Sequence, residues 1–187
     1  MQLPRLLLLV VALPVMALAG PVPVPVAADG KEKEAITHAL GLINTQTADL
    51  GSAVANWKGD LLGALPITTK SAQLLEQLRR SRRTADASRP LSTDEALAVA
   101  VATGDLSRVV QATLGTIVDN KPRFDKLLVL SPVVLLNLEL QRGATADFSD
   151  AVVRKVPEGL KTIAQGLIKP IDDAFAAAID KYKLFWS

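Results

Sequence analysis

The chain has 187 residues, a formal net charge of +2 and no cysteine. This length is enough for one domain with a hydrophobic core, and the small charge gives no indication of nucleic acid binding. The absence of cysteine excludes the small secreted modules whose folds depend on disulfide bonds.

The N-terminus has the pattern of a secretory signal peptide. A short basic segment, residues 1–5, precedes an apolar segment, residues 6–16, and Ala17 and Ala19 supply the small side chains that a signal peptidase reads. We therefore predict a signal peptide over residues 1–19. The alternative is an N-terminal membrane anchor, but the apolar segment is shorter than the about 20 residues that a span requires.

Residues 20–33 are predicted to form an extended leader. Pro21, Pro23 and Pro25 alternate with valine in this segment, and proline both fixes φ and removes a backbone donor. The folded domain is then predicted to occupy residues 34–187.

The first helix is predicted from one apolar stripe. Its positions are separated by alternating steps of four and three residues, which places them on one face of an α-helix that ends near Gly59. The stripe consists of Ile36, Leu40, Ile43, Thr47, Leu50, Val54 and Trp57.

The second helix is predicted from near Thr68 to about Thr84, because Pro66 is tolerated at a helix start and disfavoured in the middle. Its inward-facing residues are Leu74, Leu75 and Leu78. Cations near its C-terminus complement the helix dipole, although a patch for anionic lipid or wall polymer is an alternative interpretation. These cations are Arg79, Arg80, Arg82 and Arg83.

A capping box begins the third helix. In the segment Ser92-Thr93-Asp94-Glu95, the serine and glutamate side chains can each accept a hydrogen bond from a free N–H at the helix start. The helix is predicted to reach about Asn120. Its stripe has the same alternating spacing and consists of Ala96, Val99, Thr103, Leu106, Val110, Thr113 and Ile117.

A fourth helix is predicted to open at Pro122 and to continue through residues 127–140. This segment is apolar almost all round, which indicates burial on every side, and Pro132 within it is expected to kink or split the helix. Residues 143–147 are predicted to form a loop, and residues 148–155 a short helix.

The last helix is predicted to be kinked but continuous across Pro170, because its apolar stripe keeps its phase there. That stripe consists of Leu160, Ile163, Leu167, Ile171, Ala174, Phe175, Ala178 and Tyr182. Repeated stripes joined by short loops predict an all-α fold, an antiparallel bundle of five to six helices.

Residues that could support catalysis or metal binding are sparse. His38 is the single histidine, and it lies off the stripe of the first helix, so we predict a surface position. Glu34 and His38 could supply half a metal site, but no second histidine or cysteine completes it. The sequence contains no phosphate-binding loop or nucleophile motif. We therefore predict that the protein is not an enzyme and needs no cofactor.

Polar residues on the apolar stripes are open to two interpretations. Thr47, Thr103 and Thr113 can each donate to a carbonyl one turn back and stay satisfied when buried. Alternatively, their hydroxyl groups line a cavity and bind the head group of an amphiphile. Near the C-terminus, Phe185 and Trp186 either plug the bundle, which we favour, or form an exposed adsorbing tip.

The excess of apolar surface predicts binding of a fatty acid or another apolar small molecule between the helices. Residues on the facing stripes are the predicted ligand contacts. They are Ile43, Thr47, Leu50, Val54, Leu78, Val99, Thr103, Leu106, Val110, Thr113, Leu128, Leu135, Ile163, Leu167, Ile171 and Phe175.

The chain resembles the fungal hydrophobic surface-binding protein A family, which includes cell-wall galactomannoproteins. The resemblance extends over residues 34–182 and depends on Ala35-Ile36-Thr37, on Trp57-Lys58-Gly59 and on Phe148-Ser149-Asp150. It implies a secreted, non-enzymatic helical protein that binds fatty acids, or adsorbs to hydrophobic surfaces and recruits a secreted hydrolase. The chain lacks the Ser/Thr-rich tail of wall-attached members, which favours a freely secreted form.

The sequence leaves two functions to be distinguished by the position of the apolar area. A hollow interior favours a bound lipid, whereas a filled interior with a broad exposed patch favours surface adsorption. An enzyme, or a helical inhibitor of one, is the third and weakest class. The identity of the lipid and the oligomeric state do not follow from the sequence.

Overall fold

The computed structural model describes residues 29–183, and its regular elements there are helices and 3₁₀ turns, without a strand. This confirms the all-α prediction. The predicted signal peptide, residues 20–28 of the predicted leader, and Phe185 and Trp186 lie outside the described residues. The prediction that residues 29–33 belong to an extended leader was wrong, since α1 already begins at Asp29. The helices are α1 (Asp29–Ala55), α2 (Leu65–Ala87), α3 (Thr93–Asp119), α4 (Lys121–Asp125), α5 (Leu130–Val153) and α6 (Lys161–Lys183), with 3₁₀ turns at Leu62–Ala64 and Glu158–Leu160.

The five long helices form a closed ring in the order α1, α2, α5, α6, α3. Each helix therefore packs against two neighbours and keeps one face toward the interior of the ring. α4 is a single short segment that joins α3 to α5 across one end of the ring. No helix of the described chain is sufficiently long and apolar to cross a membrane.

Contacts at successive levels of the bundle give the helix directions. Thr113 of α3 donates a hydrogen bond to the Thr47 carbonyl of α1, and Arg123, just beyond α3, donates to the Trp57 carbonyl, just beyond α1. The two helices therefore run parallel. In the hydrogen bonds between α2 and α5, the residue numbers also rise together along both helices, so α2 and α5 run parallel to each other as well. Successive long helices along the chain thus alternate in direction, as predicted for an antiparallel bundle.

Three aromatic side chains close the end of the ring that α4 crosses, which we call the aromatic end. The ring centroids of Trp57 and Phe124 are 4.4 Å apart, and those of Phe124 and Tyr182 are 6.4 Å apart. The buried Tyr182 hydroxyl donates to the Ile117 carbonyl at 2.9 Å. Burial raises the pKa of this hydroxyl well above its ordinary value, so it remains a donor at any physiological pH.

The sequence patterns of α1 and α3 are confirmed in detail. Every residue of the α1 stripe is buried. In the α3 stripe every residue is buried except Thr103, which is half-buried. The capping box is present, because Ser92 accepts from the Glu95 N–H while Glu95 accepts from the Ser92 N–H. Local sequence signals and tertiary packing agree in these two helices.

The prediction that residues 127–140 are buried on every side was wrong. Leu128 and Val129 are 70% and 66% exposed, and Leu136 is 56% exposed. In a ring of helices each member keeps an outward face, and apolar residues on that face of α5 meet solvent. The chain turns before α5, so Pro132 lies in the first turn of that helix. A backbone N–H in the first turn has no partner within the helix, so proline, which lacks one, is tolerated there.

The predicted loop at residues 143–147 was also wrong, since α5 runs without a break from Leu130 to Val153. A glycine inside a helix costs about 1 kcal/mol relative to alanine, and the packing of α5 against α2 and α6 outweighs that cost. In α6, which continues across Pro170 as predicted, Ile163 is 60% exposed and does not share the burial of the later stripe residues. The first turns of α6 lie at the rim of the bundle.

Candidate functional site

The interior of the ring contains three small cavities that follow one another along the bundle axis. The central cavity has a volume of about 50 Å³ and is lined by all five long helices. The aromatic-end cavity, about 50 Å³, lies between α1, α2, α4 and the start of α5, with α3 also contributing. The opposite-end cavity, about 60 Å³, lies between α3, α6 and the end of α5. From Ala96 to Ile117 the cavities follow α3 for about 32 Å, at about 1.5 Å per residue.

Single layers of side chains separate these cavities. Leu50, Ile117 and Gln141 line both the central and the aromatic-end cavities. Thr103, Val152 and Ile168 line both the central and the opposite-end cavities. Displacement of a few side chains would therefore join the three cavities into one apolar channel.

Most of the predicted ligand contacts lie around these cavities. The central cavity is lined by Ile43, Thr47, Leu50, Leu78, Thr103, Leu106, Val110, Thr113, Ile171 and Phe175. Val54 lines the aromatic-end cavity, and Val99, Ile163 and Leu167 line the opposite-end cavity. Leu128 lies on the exposed turn before α5 and Leu135 packs against the core, and neither lines any of the three.

The stripe threonines are satisfied by the protein itself. Thr47 donates to the Ile43 carbonyl at 2.7 Å, and Thr103 donates to the Val99 carbonyl at 2.8 Å. Thr113 donates to the Thr47 carbonyl at 3.1 Å. Since each hydroxyl hydrogen is already used, the interpretation based on backbone bonding describes these residues better than a head-group role.

The hydroxyl groups that line the central cavity without a hydrogen bond to any described residue come instead from α5, and sequence reasoning missed them. Thr145 and Ser149 both line the cavity, are half-buried, and make no side-chain hydrogen bond within the described part of the chain. Gln141, one turn before Thr145, donates to the Ser71 hydroxyl at 2.7 Å. Because residues 143–147 were predicted to form a loop, Thr145 and Ser149 were not recognised as residues on one face of a helix. The spacing of Gln141, Thr145, Phe148 and Val152, in steps of four, three and four, was the signal that could have found it.

A fourth cavity lies between α5 and α6, beside the partly exposed Arg142 and Asp172 side chains, and we call it the side cavity. Its volume is about 100 Å³, and the residues that it shares with the central cavity are Thr145, Ser149, Ile168, Ile171 and Phe175. At its rim Arg142 donates two hydrogen bonds to Asp172, from Nε at 2.7 Å and from the terminal nitrogen at 2.9 Å. These bonds lower the pKa of the Asp172 carboxyl and raise that of the Arg142 guanidinium.

Residues that could hold a metal ion do not cluster in the described part of the chain. His38 is exposed, as predicted. Within residues 29–183 no group of three or more histidine, aspartate or glutamate side chains is arranged to hold a metal ion. The site is therefore a set of apolar cavities with a few polar groups on α5.

Similar proteins support this description of the fold. A cell wall mannoprotein 1 from Aspergillus fumigatus is 30% identical over 141 residues, which is 75% of this chain and 49% of that protein. The chain thus spans about half the length of the curated relatives that it matches. The crystal structure of AFMP4P in complex with palmitic acid is 26% identical, with a TM-score of 0.77 over 80% of this chain and 99% of that one.

A second solved structure shares the fold at lower identity. Ligand binding domain 1 of the Penicillium marneffei MP1 protein, complexed with arachidonic acids, is 18% identical with a TM-score of 0.77, over 81% of this chain and 98% of that one. The family described as Hydrophobic surface binding protein A matches residues 34–154, a range that ends before α6. The resemblance noted from the sequence is confirmed, and the chain belongs to the hydrophobic surface binding protein A family.

Proposed function

We propose that this protein binds a long-chain fatty acid inside the helical ring. The observation that carries the proposal is the line of apolar cavities separated by single side-chain layers. A structure of the same fold, 26% identical, is a complex with palmitic acid. Each methylene group moved from water into an apolar interior contributes about 0.8 kcal/mol, so a long acyl chain supplies a large driving force.

The ring must adjust to take up an acyl chain. Even together, the three cavities are smaller than the about 300 Å³ at the lower end of ligand pockets. The partitions between them are built mainly from aliphatic side chains, which can change rotamer at modest cost when an acyl chain replaces the lost contacts. We therefore expect binding to merge the cavities rather than to fill a channel that is already open.

The direct test is thermal stabilisation of protein that has been stripped of lipid. Palmitate at about 100 times its Kd should stabilise the fold by about 2.7 kcal/mol, which raises the Tm by roughly 5–11 °C in a domain of this size. Organic extraction of protein before stripping should release fatty acid detectable by mass spectrometry. Stripped protein whose Tm does not change with any long-chain fatty acid would contradict the proposal.

A pair of substitutions on α3 locates the bound chain. Val110→Phe places a ring in the central cavity and should abolish stabilisation by palmitate, with retained helicity checked by circular dichroism. Val101→Phe makes the same change at a position that is 68% exposed on the same helix, and it should leave binding intact. Equal binding by both variants would place the acyl chain outside the central cavity.

Adsorption to hydrophobic surfaces is the second candidate, and one exposed patch favours it. The patch consists of exposed apolar residues from two segments, 61–65 and 128–136, and Ala64 and Leu130 within these segments both line the aromatic-end cavity. Its members are Leu61, Leu62, Leu65, Leu128, Val129, Val133 and Leu136. Exposed apolar residues grouped in this way are typical of an interaction surface.

A paired substitution tests adsorption separately from lipid binding. Leu62→Ser with Leu128→Ser should reduce retention on hydrophobic beads while leaving stabilisation by palmitate unchanged, because both residues are at least 70% exposed. The control is Leu97→Ser with Val101→Ser, which changes exposed residues near the opposite-end cavity. Equal loss of retention in both variants would show that no particular patch adsorbs.

We also infer that the protein acts outside the cell. The predicted signal peptide and the curated relatives named cell wall mannoproteins support an extracellular or wall-associated location. Fractionation of an expressing fungus should recover the protein from the medium or the wall, and retention inside the cell would contradict this. Recruitment of a secreted hydrolase, the remaining predicted partner, would be measured as co-adsorption of the enzyme on coated beads.

A further inference from the structure

We propose that Arg142 binds the carboxylate of the fatty acid at the side cavity, where Asp172 occupies its guanidinium in the ligand-free protein. This inference rests on the proposed fatty acid binding and specifies where the head group lies. It assigns the side cavity between α5 and α6 as the end of the site that is open to water.

The position of the side cavity suits the head group of a chain that lies in the central cavity. Five residues line both cavities, so one layer of side chains separates the apolar interior from the solvent-facing rim. A charged carboxylate cannot remain unpaired in an apolar interior, so it must lie near water or beside a cation. Among the residues that line the side cavity, Arg142 is the cation.

The geometry of the Arg142–Asp172 pair shows that this guanidinium can accommodate a carboxylate. It presents Nε and a terminal nitrogen to the two oxygens of Asp172, the paired arrangement that arginine forms with carboxylates. The two side chains are 40% and 49% exposed, so solvent screens their attraction, and exposed ion pairs typically contribute about 0.2–1 kcal/mol. Exchange of Asp172 for a ligand carboxylate therefore has a small cost.

Polar groups connect the rim with the interior. Arg142, Thr145 and Ser149 are spaced by three and four residues, which places them on one face of α5. The hydroxyl groups of Thr145 and Ser149 line both cavities and have no side-chain hydrogen bond within the described residues. They can donate to a carboxylate that lies beside Arg142 or to a water that solvates it.

Other charges near the side cavity determine the expected direction of each substitution. Asp150 and Asp172 both line it, and their negative charges oppose a ligand carboxylate. The neighbouring Lys169 is paired with Asp173 on the outer surface of α6 and does not line the cavity. Removal of the Asp172 charge should therefore strengthen binding of a fatty acid anion, whereas removal of the Arg142 charge should weaken it.

The test compares palmitate with its methyl ester, which has the same acyl chain without the charge. Arg142→Gln should weaken palmitate binding about tenfold and leave methyl ester binding unchanged, since a charge-assisted pair is lost only for the acid. Asp172→Asn should strengthen palmitate binding severalfold, again without effect on the ester. Arg154→Gln is the matched control, because Arg154 is an exposed arginine just after the end of α5, is paired with Asp86 and does not line the side cavity.

The outcomes separate this inference from the proposed function. If Arg142→Gln affects acid and ester equally, or affects neither, the carboxylate does not bind Arg142. If Arg142→Gln and Arg154→Gln weaken palmitate binding equally, the effect is one of overall charge, and the site is likewise excluded. If the natural protein binds neither palmitate nor its ester, the proposed function fails before the head group is in question.

Discussion

The contact between α1 and α3 yields a sharp prediction for Gly51→Ala. A Cβ atom on Gly51 would lie 2.8 Å from Oγ1 of Thr113 and 3.4 Å from its Cβ and Cγ2. That hydroxyl cannot easily retreat, because it donates to the Thr47 carbonyl and a β-branched side chain has few χ1 options in a helix. Either the two helices separate or Thr113 rotates and loses its hydrogen bond.

The magnitude follows from two opposing effects. Alanine gains up to about 1 kcal/mol over glycine in a helix, whereas overpacking costs about 1–3 kcal/mol and a lost hydrogen bond about 1 kcal/mol. We expect a net destabilisation of about 1–2 kcal/mol, seen as a Tm lower by roughly 2–8 °C. The control is Gly143→Ala in α5, where a new Cβ meets nothing within 4 Å, and a gain of about 0.5–1 kcal/mol is expected.

A double-mutant cycle isolates the contact. Thr113→Ala removes the atoms that obstruct residue 51, so Gly51→Ala should cost less in that background than in the natural protein. Urea unfolding of the four proteins gives the coupling energy. Additive effects, or a Gly51→Ala protein as stable as the Gly143→Ala protein, would refute the tight approach of α1 to α3.

Two further predictions concern polar groups that hold the ends of the bundle. Tyr182→Phe removes the hydrogen bond to the Ile117 carbonyl and should lower the free energy of unfolding by about 1 kcal/mol in urea, and an unchanged value would contradict a buried bond. Glu95→Gln tests the carboxylate whose pKa is lowered by the Ser92 N–H and by Arg89. Because the pKa of Glu95 is lower in the folded state, its carboxylate stabilises the fold at pH values above the unfolded-state pKa, and this stabilisation is lost as the pH falls through the folded-state pKa. The variant should therefore have a lower Tm than the natural protein at pH 7 and the same Tm in strong acid.

The fold could be predicted largely from the sequence because the spacing of apolar residues along α1 and α3 indicates which face of each helix is buried. A stripe such as that from Ile36 to Trp57 has the same period whether or not the partner helix is known. Helix starts are recorded in the same way, since the Ser92–Glu95 capping box is satisfied within four residues. These signals need no knowledge of tertiary structure.

The errors in α5 have a tertiary origin. The apolar composition of residues 127–140 indicates burial, but the closed ring leaves Leu136 on an outward face. Gly143 suggests a chain break, but contacts with α2 and α6 hold the helix through it. The spacing of apolar residues along one helix does not show how many other helices surround it or where they lie.

The candidate site was predictable only in part for the same reason. Stripe residues such as Val110 face the axis of the ring, so the spacing that predicts burial also predicts the walls of the central cavity. Which positions adjoin a void and which pack tightly depends on how five helices meet. Thr145 and Ser149 become cavity residues only because α5 continues unbroken past Gly143.

The distribution of the cavities among the helices indicates which wall of the site can move. α1 and α3 are joined closely by the contact of Gly51 with Thr113 and by a buried hydrogen bond, so they form a rigid side of the ring. α5 contributes lining residues to the central, aromatic-end, opposite-end and side cavities alike. Its link to α6 at the side cavity is the exposed Arg142–Asp172 pair, which is weak. Because α5 is the long helix that lines all four cavities, an outward shift of α5 would widen each of them. A fatty acid carboxylate that displaced Asp172 would remove a side-chain ion pair between α5 and α6 and leave their apolar packing in place.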